Sequence, residues 1–242
     1  MKYLSIFIFL LFLACKPAQK ELTAQEIIDK SILKSGVNKV ANAKIAFHFR
    51  NTLFEAKRAY GNFTLTRKKD SITDILTNNT FKRFIHSQEV KLADKKANTY
   101  KNTVNSVHYF SVLPFGLNDK AVHKKLLKSS IVKAKAYYKI QITFAEEGGG
   151  EDFNDTFIYW IGKKDFLVDY LAYSYQTNGG GKRFRALKKE TIVNQIRFAD
   201  FDNYKPKNNN ITLENIDKAF EENQLEKISE IVLENIKVTQ FN

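Results

Sequence analysis

Two periods organise the apolar positions of this chain. Over residues 22–36 they recur at helical spacing. Leu22-Thr23-Ala24-Gln25-Glu26-Ile27 has the form of a capping box, with Thr23 as N-cap, Glu26 reaching back to it and Leu22 placed to pack on Ile27. Ile28, Ile32 and Leu33 continue that apolar face, and Gly36 stands where a helix end needs a positive φ. The spacing predicts an amphipathic helix over residues 23–35. From residue 44 onward the period is two. Tyr138, Ile140, Ile142 and Phe144 alternate with Lys139, Gln141 and Thr143, as a half-buried strand requires, and residues 63–67, 191–198 and 228–238 behave alike. Residues 156–161 and 167–175 differ, because aromatic and aliphatic side chains occupy both parities. Such strands carry core on one face and a second apolar layer on the other.

Strand follows strand with turn residues between them: Glu147 to Glu151, Gly162 to Asp165, and Asn178 to Gly181. That succession predicts an antiparallel meander and excludes alternating β-α-β units. Two helices are expected to interrupt it, one capped by Asn118-Asp119 and running to about Lys128, the other capped by Thr212 and running to about Glu222. The fold class is therefore α+β: one antiparallel sheet of about eight to eleven strands, with an N-terminal helix and two later ones against it.

The first residues have a separate logic. Lys2 precedes the apolar run Tyr3 to Leu13, and Ala14-Cys15 closes it. A helix of that length rises only about 16 Å, roughly half a hydrocarbon core, so the run reads as a signal-peptide segment and not as a spanning anchor. Leu13-Ala14-Cys15 resembles the lipobox of bacterial lipoproteins, although Phe12 stands where leucine is commoner. Cys15 is also the chain's single cysteine, so no internal disulfide can form, and acylation would remove a lone exposed thiol. Cleavage before Cys15 would leave residues 1–14 as signal peptide, 15–21 as a lipidated, palmitate-bearing tether, and 22–242 as one domain.

Hydrophobic content of 43% and aromatic content of 13% support a real core. The net charge of +13 is spread over Lys-rich clusters at expected turns and helix faces, among them Arg67-Lys68-Lys69, Lys124-Lys125 and Lys163-Lys164. No nucleic-acid-binding pattern accompanies them, so nucleic acid is excluded as a partner. Solvated lysine at turns accounts for the charge better than attraction to anionic headgroups does.

Candidate chemistry is sparse. His48, His86, His108 and His123 lack metal-ligand spacing, and nothing calls for a metal or cofactor. Ser106 and His108 would share one face of a strand, the arrangement of a nucleophile and its base, but no nucleophile elbow supports a hydrolase. Glu146 to Asp152 is an acidic glycine turn without the calcium-loop pattern. A Schiff-base aldolase would need a lysine at the end of a barrel strand, and the eight strand–helix alternations are missing. What remains is aromatic. Val107 to Leu117 ends in Pro-Phe-Gly and is expected to lie over the sheet as a flap. With the aromatic strands it would enclose an apolar ligand, with Tyr109, Phe110, Phe115, Trp160, Tyr170 and Tyr173 as the candidate binding residues. A filled core is the competing reading of the same stripe.

NSVHYFSVLPFGLND (105–119), AEEGGGEDFND (145–155), YWIG (159–162), VDYLAYSY (168–175) and RFR (183–185), with the LTAQEIIDKSI opening, together resemble an uncharacterised family of exported lipoproteins from Gram-negative bacteria. That family is similar to the LolA/LolB-like carrier superfamily. The resemblance implies a curved antiparallel half-barrel with helices packed into its concave mouth around an apolar cavity. It also implies a lipid-anchored place in the cell envelope, at the outer membrane facing the periplasm. The expected partners are the membrane, through Cys15, and an apolar small molecule or lipid; no protein partner is indicated. A non-catalytic binding protein is favoured over two alternatives: an enzyme, either the deoxyribose-phosphate aldolase that some relatives are labelled or a Ser106–His108 hydrolase, and a scaffold with a filled core.

Overall fold

The computed structural model describes residues 21–147, 153–176 and 179–241. The signal segment, Cys15, most of the tether, most of the acidic glycine turn and Asn178 lie outside the described residues. Helix α1 (Ala24–Lys34) begins at the expected capping box: Thr23 Oγ1 accepts from the Glu26 N–H at 3.2 Å, and the Glu26 carboxylate accepts from the Thr23 N–H at 2.7 Å. Ile27 and Ile28 are fully buried and Ile32 nearly so. Gly36 ends the turn at φ +70, and a Cβ there would meet the Gln195 carbonyl oxygen at 1.8 Å. The Ser35 carbonyl then accepts from the Arg197 N–H at 2.9 Å. Both contacts lie within the 193–197 region, so the helix end is seated directly on the sheet.

A first meander follows: β1 (Ala43–Phe49), β2 (Thr52–Ala59), β3 (Asn62–Lys69), β4 (Ile72–Thr77), β5 (Phe81–Ile85) and β6 (Gln88–Val90). Helix α2 (Asp94–Ser111) crosses to a second, made of β7 (Val122–Val132), β8 (Lys135–Phe144), β9 (Thr156–Gly162), β10 (Val168–Tyr175), β11 (Gly181–Val193) and β12 (Ile196–Pro206). After helix α3 (Ile216–Glu221), β13 (Leu225–Ile231) pairs with β12, and β14 (Glu234–Gln240) passes to the other side to pair with β1. The result is the expected α+β half-barrel, antiparallel and not closed, but its described strands number fourteen in two seven-stranded sheets, where one sheet of about eight to eleven was expected. The stretch 228–238, expected as one strand, is the hinge of that division. It breaks at residues 232–233, where the Leu233 N–H donates to Asp200 Oδ1 at 2.9 Å.

Two helix assignments are corrected. Residues 122–128 belong to strand β7, not to a helix capped by Asn118-Asp119, which instead closes a 3-10 turn at Phe115–Asn118. The reason is a bulge: the β7–β8 register shifts between Leu127 and Ser130, which breaks the two-residue alternation and leaves apolar positions at a near-helical spacing. Conversely, Val107 to Ser111 is no flap but the last part of α2. That helix is rich in Asn, Thr and Ser and starts at Ala93 without a side-chain cap, so its local signal is weak.

Strand parity sorts the second sheet into two layers. Ladder rows Ile142–Phe157–Tyr173–Arg183 and Ile140–Tyr159–Leu171–Arg185 face the interior with α1, α2 and the first sheet. The next row, Lys139–Trp160–Tyr170–Ala186, faces the opposite way. There α3 covers it, with Ile216, Ala219 and Phe220 closing a second cluster. Both aromatic strands therefore carry apolar cover on two faces, as their sequence required. Of the α-helices among the described residues, α1 and α2 sit inside the half-barrel and α3 on its reverse.

Candidate functional site

Helix α2 divides its contacts between the two sheets. Val104 packs with Ala56, Leu65 and Leu76 of the first sheet, and His108 lies edge-on against Phe47 and Phe54 at 5.9 and 5.5 Å. On its other flank the helix does not reach the second sheet everywhere. A cleft of about 550 Å³ remains, bounded by α2 from Lys101 to Ser111, by β8 to β13, and by Phe49 and Leu233. That volume is ordinary for a small-molecule site.

Its walls are aromatic. The Phe157 and Tyr173 rings stack at 5.3 Å, Phe110 closes on them from α2 at 6.1 and 5.8 Å, and Phe144 meets Phe157 edge-on at 5.8 Å. Phe201, Ile231 and Leu233 extend this surface. The polar lining is concentrated in Lys101, Asn105, Asp155, Arg183 and Arg185. Arg185 is 9% exposed, its guanidinium 4.0 Å above the Phe110 ring, and it donates to Tyr173 Oη at 3.3 Å. Arg183 lies over Tyr175 at 5.1 Å. The Tyr109 hydroxyl is buried beside that of Tyr159, and burial pushes its pKa up to about 12.

A family model described as "Family of unknown function (DUF6503)" matches residues 4–234. The chain belongs to that family. No curated protein matches it by sequence. Among solved structures, a LolA superfamily protein from Nitrosomonas europaea is 10% identical with a TM-score of 0.45, covering 91% of this chain and 93% of its own. A domain titled for outer membrane lipoprotein sorting, from Vibrio parahaemolyticus, is 5% identical with a TM-score of 0.49 over 89% and 93%. A DUF1329 family protein from Desulfovibrio piger is 7% identical with a TM-score of 0.48 over 89% and 92%.

In this DUF6503 chain the expected site residues divide. Tyr109, Phe110 and Tyr173 line the cleft. Phe115 does not: it packs at the edge of the main core, beneath the Arg58 guanidinium at 5.6 Å. Trp160 and Tyr170 are on the reverse face, because their parity is opposite to that of Phe157 and Tyr173. The Trp160 indole N–H donates to Asp217 Oδ2 at 3.0 Å and to Ser130 Oγ at 3.1 Å beneath α3. The residues that sequence reasoning missed are Lys101, Phe144, Arg183, Arg185 and Phe201. For the two arginines a signal existed: within β11 they alternate with Phe184 and Ala186, so one of the two faces had to receive two cations.

The hydrolase pair is not assembled. Ser106 and His108 are two positions apart on a helix, not a strand, and so point about 200° from one another. Ser106 donates to the Thr103 carbonyl at 3.3 Å, while His108 is buried with Nε2 3.1 Å from the Thr66 carbonyl oxygen. Burial, with Arg58 adding to it, pushes the His108 pKa down to about 4. Among the described lysines, Lys139 is the buried one, held by Asp217 at 3.2 Å and donating to the Glu214 carbonyl at 2.6 Å. Among the described residues, no group of three His, Cys, Asp or Glu is placed to hold a metal, and no helix is long and apolar enough to cross a membrane.

Proposed function

We propose that this chain is a non-catalytic lipoprotein of the cell envelope, tethered through acylated Cys15 to the outer membrane on its periplasmic side, and that it shelters an acyl-chain-like ligand in the cleft between α2 and the second sheet. The observation that carries this reading is the cleft itself. A core meant only for stability closes on its own side chains to crystal-like density. Here Phe110, Phe144, Phe157 and Tyr173 surround about 550 Å³ that they do not fill. An apolar surface of that size, turned inward and open at one side, is stabilised by an occupant that removes it from water. The mature length ahead of α1 is short, so the cleft would be held close to the membrane surface from which such a ligand could be drawn.

Native mass spectrometry of the Cys15→Ser protein, purified without detergent from an envelope fraction, tests the reading. A population carrying a lipid-sized adduct is expected, and Phe110→Ala should deplete it. A clean apo mass, with no uptake of a long-chain probe on incubation, would leave the scaffold interpretation standing instead.

A further inference from the structure

We propose that the occupant of this cleft is an oxyanion-headed acyl chain, its head held by Arg185. The proposal deepens the reading above and rests on it. Taking a guanidinium out of water is costly unless hydrogen bonds and an opposite charge meet it. Arg185 is 9% exposed, yet among the described residues it meets the Phe110 ring, the Tyr173 ring at 5.3 Å and one tyrosine hydroxyl. Its Nε has no hydrogen-bond partner among the described residues. Two arginines exposed as little are treated differently: Arg83 is paired with Asp74 at 2.6 Å, and Arg197 with Asp169 at 3.3 Å and Glu190 at 2.7 Å.

The remaining charges of the cleft point the same way. Among the described residues, Lys101 and Arg183 join Arg185 in its lining against a single carboxylate, Asp155, so cations outnumber anions there. The planar fork of an arginine matches a carboxylate or a phosphate bidentately. A head placed there would leave the chain running along Phe110, Phe157 and Tyr173. A neutral or cationic head would leave the arginine's charge unanswered.

The test compares four twelve-carbon probes below their critical micelle concentrations, by displacement of Nile red from the full Cys15→Ser chain: laurate, dodecyl phosphate, dodecanol and dodecyltrimethylammonium. Laurate or dodecyl phosphate should bind at least about tenfold more tightly than dodecanol, the size of one charge-assisted hydrogen-bonding contact. Their order tells a fatty carboxylate from a phosphate head. Arg185→Met should abolish the gap and Arg185→Lys should keep part of it. Equal binding of laurate and dodecanol by the unaltered Arg185 protein overturns the anionic-head proposal while leaving the cleft a lipid site. Failure of all four probes to displace the dye overturns the cleft reading itself. If Arg185→Met does not fold, the four-probe order on the Arg185 protein decides alone.

Discussion

The Trp160 indole N–H donates to Asp217 Oδ2 at 3.0 Å, which anchors the chain's one tryptophan in the seam under α3 and turns it away from the cleft. Phe110, by contrast, stands in the cleft wall, 5.8 Å from Tyr173. Two truncations should therefore separate stability from binding. Trp160→Ala should lower unfolding free energy by about 3–5 kcal/mol, since it empties a fully buried site, and leave Nile red affinity unchanged once folded protein is counted. Phe110→Ala should weaken the dye by about tenfold at a smaller cost in stability. Urea titration paired with dye binding reads both. Loss of affinity in the tryptophan variant would mean that the two faces are coupled.

The same seam holds an ion pair whose partners are 6% and 2% exposed, Lys139 and Asp217. Removing one partner strands the other's charge in an apolar layer beneath Ile216 and Ala219. Asp217→Ala should cost about 3–5 kcal/mol, and Lys139→Met combined with Asp217→Leu less than either single loss would suggest. Chemical denaturation of Lys139→Met, Asp217→Leu and their combination gives the cycle. Additive losses would show that the pair does not interact as drawn.

How far the sequence reveals this molecule depends on where its periods are clean. The capping box and the positive φ of Gly36 specify the two ends of α1 through local backbone geometry. The two-faced strands specify the sandwich of core and reverse cluster, since both parities of 156–161 and 167–175 are apolar. Parity could also have assigned Trp160 and Tyr170 away from Tyr173, had the register to Phe157 been drawn. Other features were hidden for physical reasons. A bulge in β7 mimics helical spacing, and α2 owes its helicity to burial between two sheets, not to propensity. The cleft is a negative feature: it exists because α2 stands off from β8 to β13, and no single residue encodes that distance.

Gly36 offers a sharper test of the helix seat. Its φ of +70 disfavours any side chain, and an alanine Cβ would collide with the Gln195 backbone carbonyl at 1.8 Å. Strain and displacement act together, so Gly36→Ala should destabilise by roughly 2–4 kcal/mol and loosen the Ser35–Arg197 backbone contact. Thermal melts give the first and amide exchange at Arg197 the second. A melting temperature within a degree of the parent would show that the 193–197 region yields freely.

Membrane attachment is separable from everything in the folded domain. Labelled palmitate should enter the unaltered chain and be absent from the Cys15→Ser protein if, as proposed, Cys15 is the residue that is acylated. The variant should also leave the membrane fraction on salt washing while its thermal melt is unchanged. Label in both proteins would move the attachment elsewhere.

The last prediction concerns acid. His108 sits at 1% exposure between Phe47 and Phe54, with its Nε2 3.1 Å from the Thr66 carbonyl oxygen and Arg58 adding a like charge to any imidazolium. A neutral ring can donate Nε2–H to that carbonyl, whereas a charged ring would have to be desolvated. Burial accordingly lowers its pKa from 6.5 to about 4 in the folded state. A depressed folded value means that the unfolded chain takes up the proton first as pH falls. The contribution is full above pH 6.5, declines as pH drops toward 4, and is gone below it, a loss of roughly 3 kcal/mol across that window. Carboxylates such as Glu55, held below their ordinary range by Lys68, add their own acid sensitivity, so the comparison must be between variants. His108→Phe keeps the ring packing but cannot titrate. Its unfolding free energy should start lower at pH 7 and fall less steeply from pH 6.5 to 4 than the parent's. Parallel curves would show that this histidine takes up its proton as readily in the folded core as in the unfolded chain, against the burial that lowers its pKa.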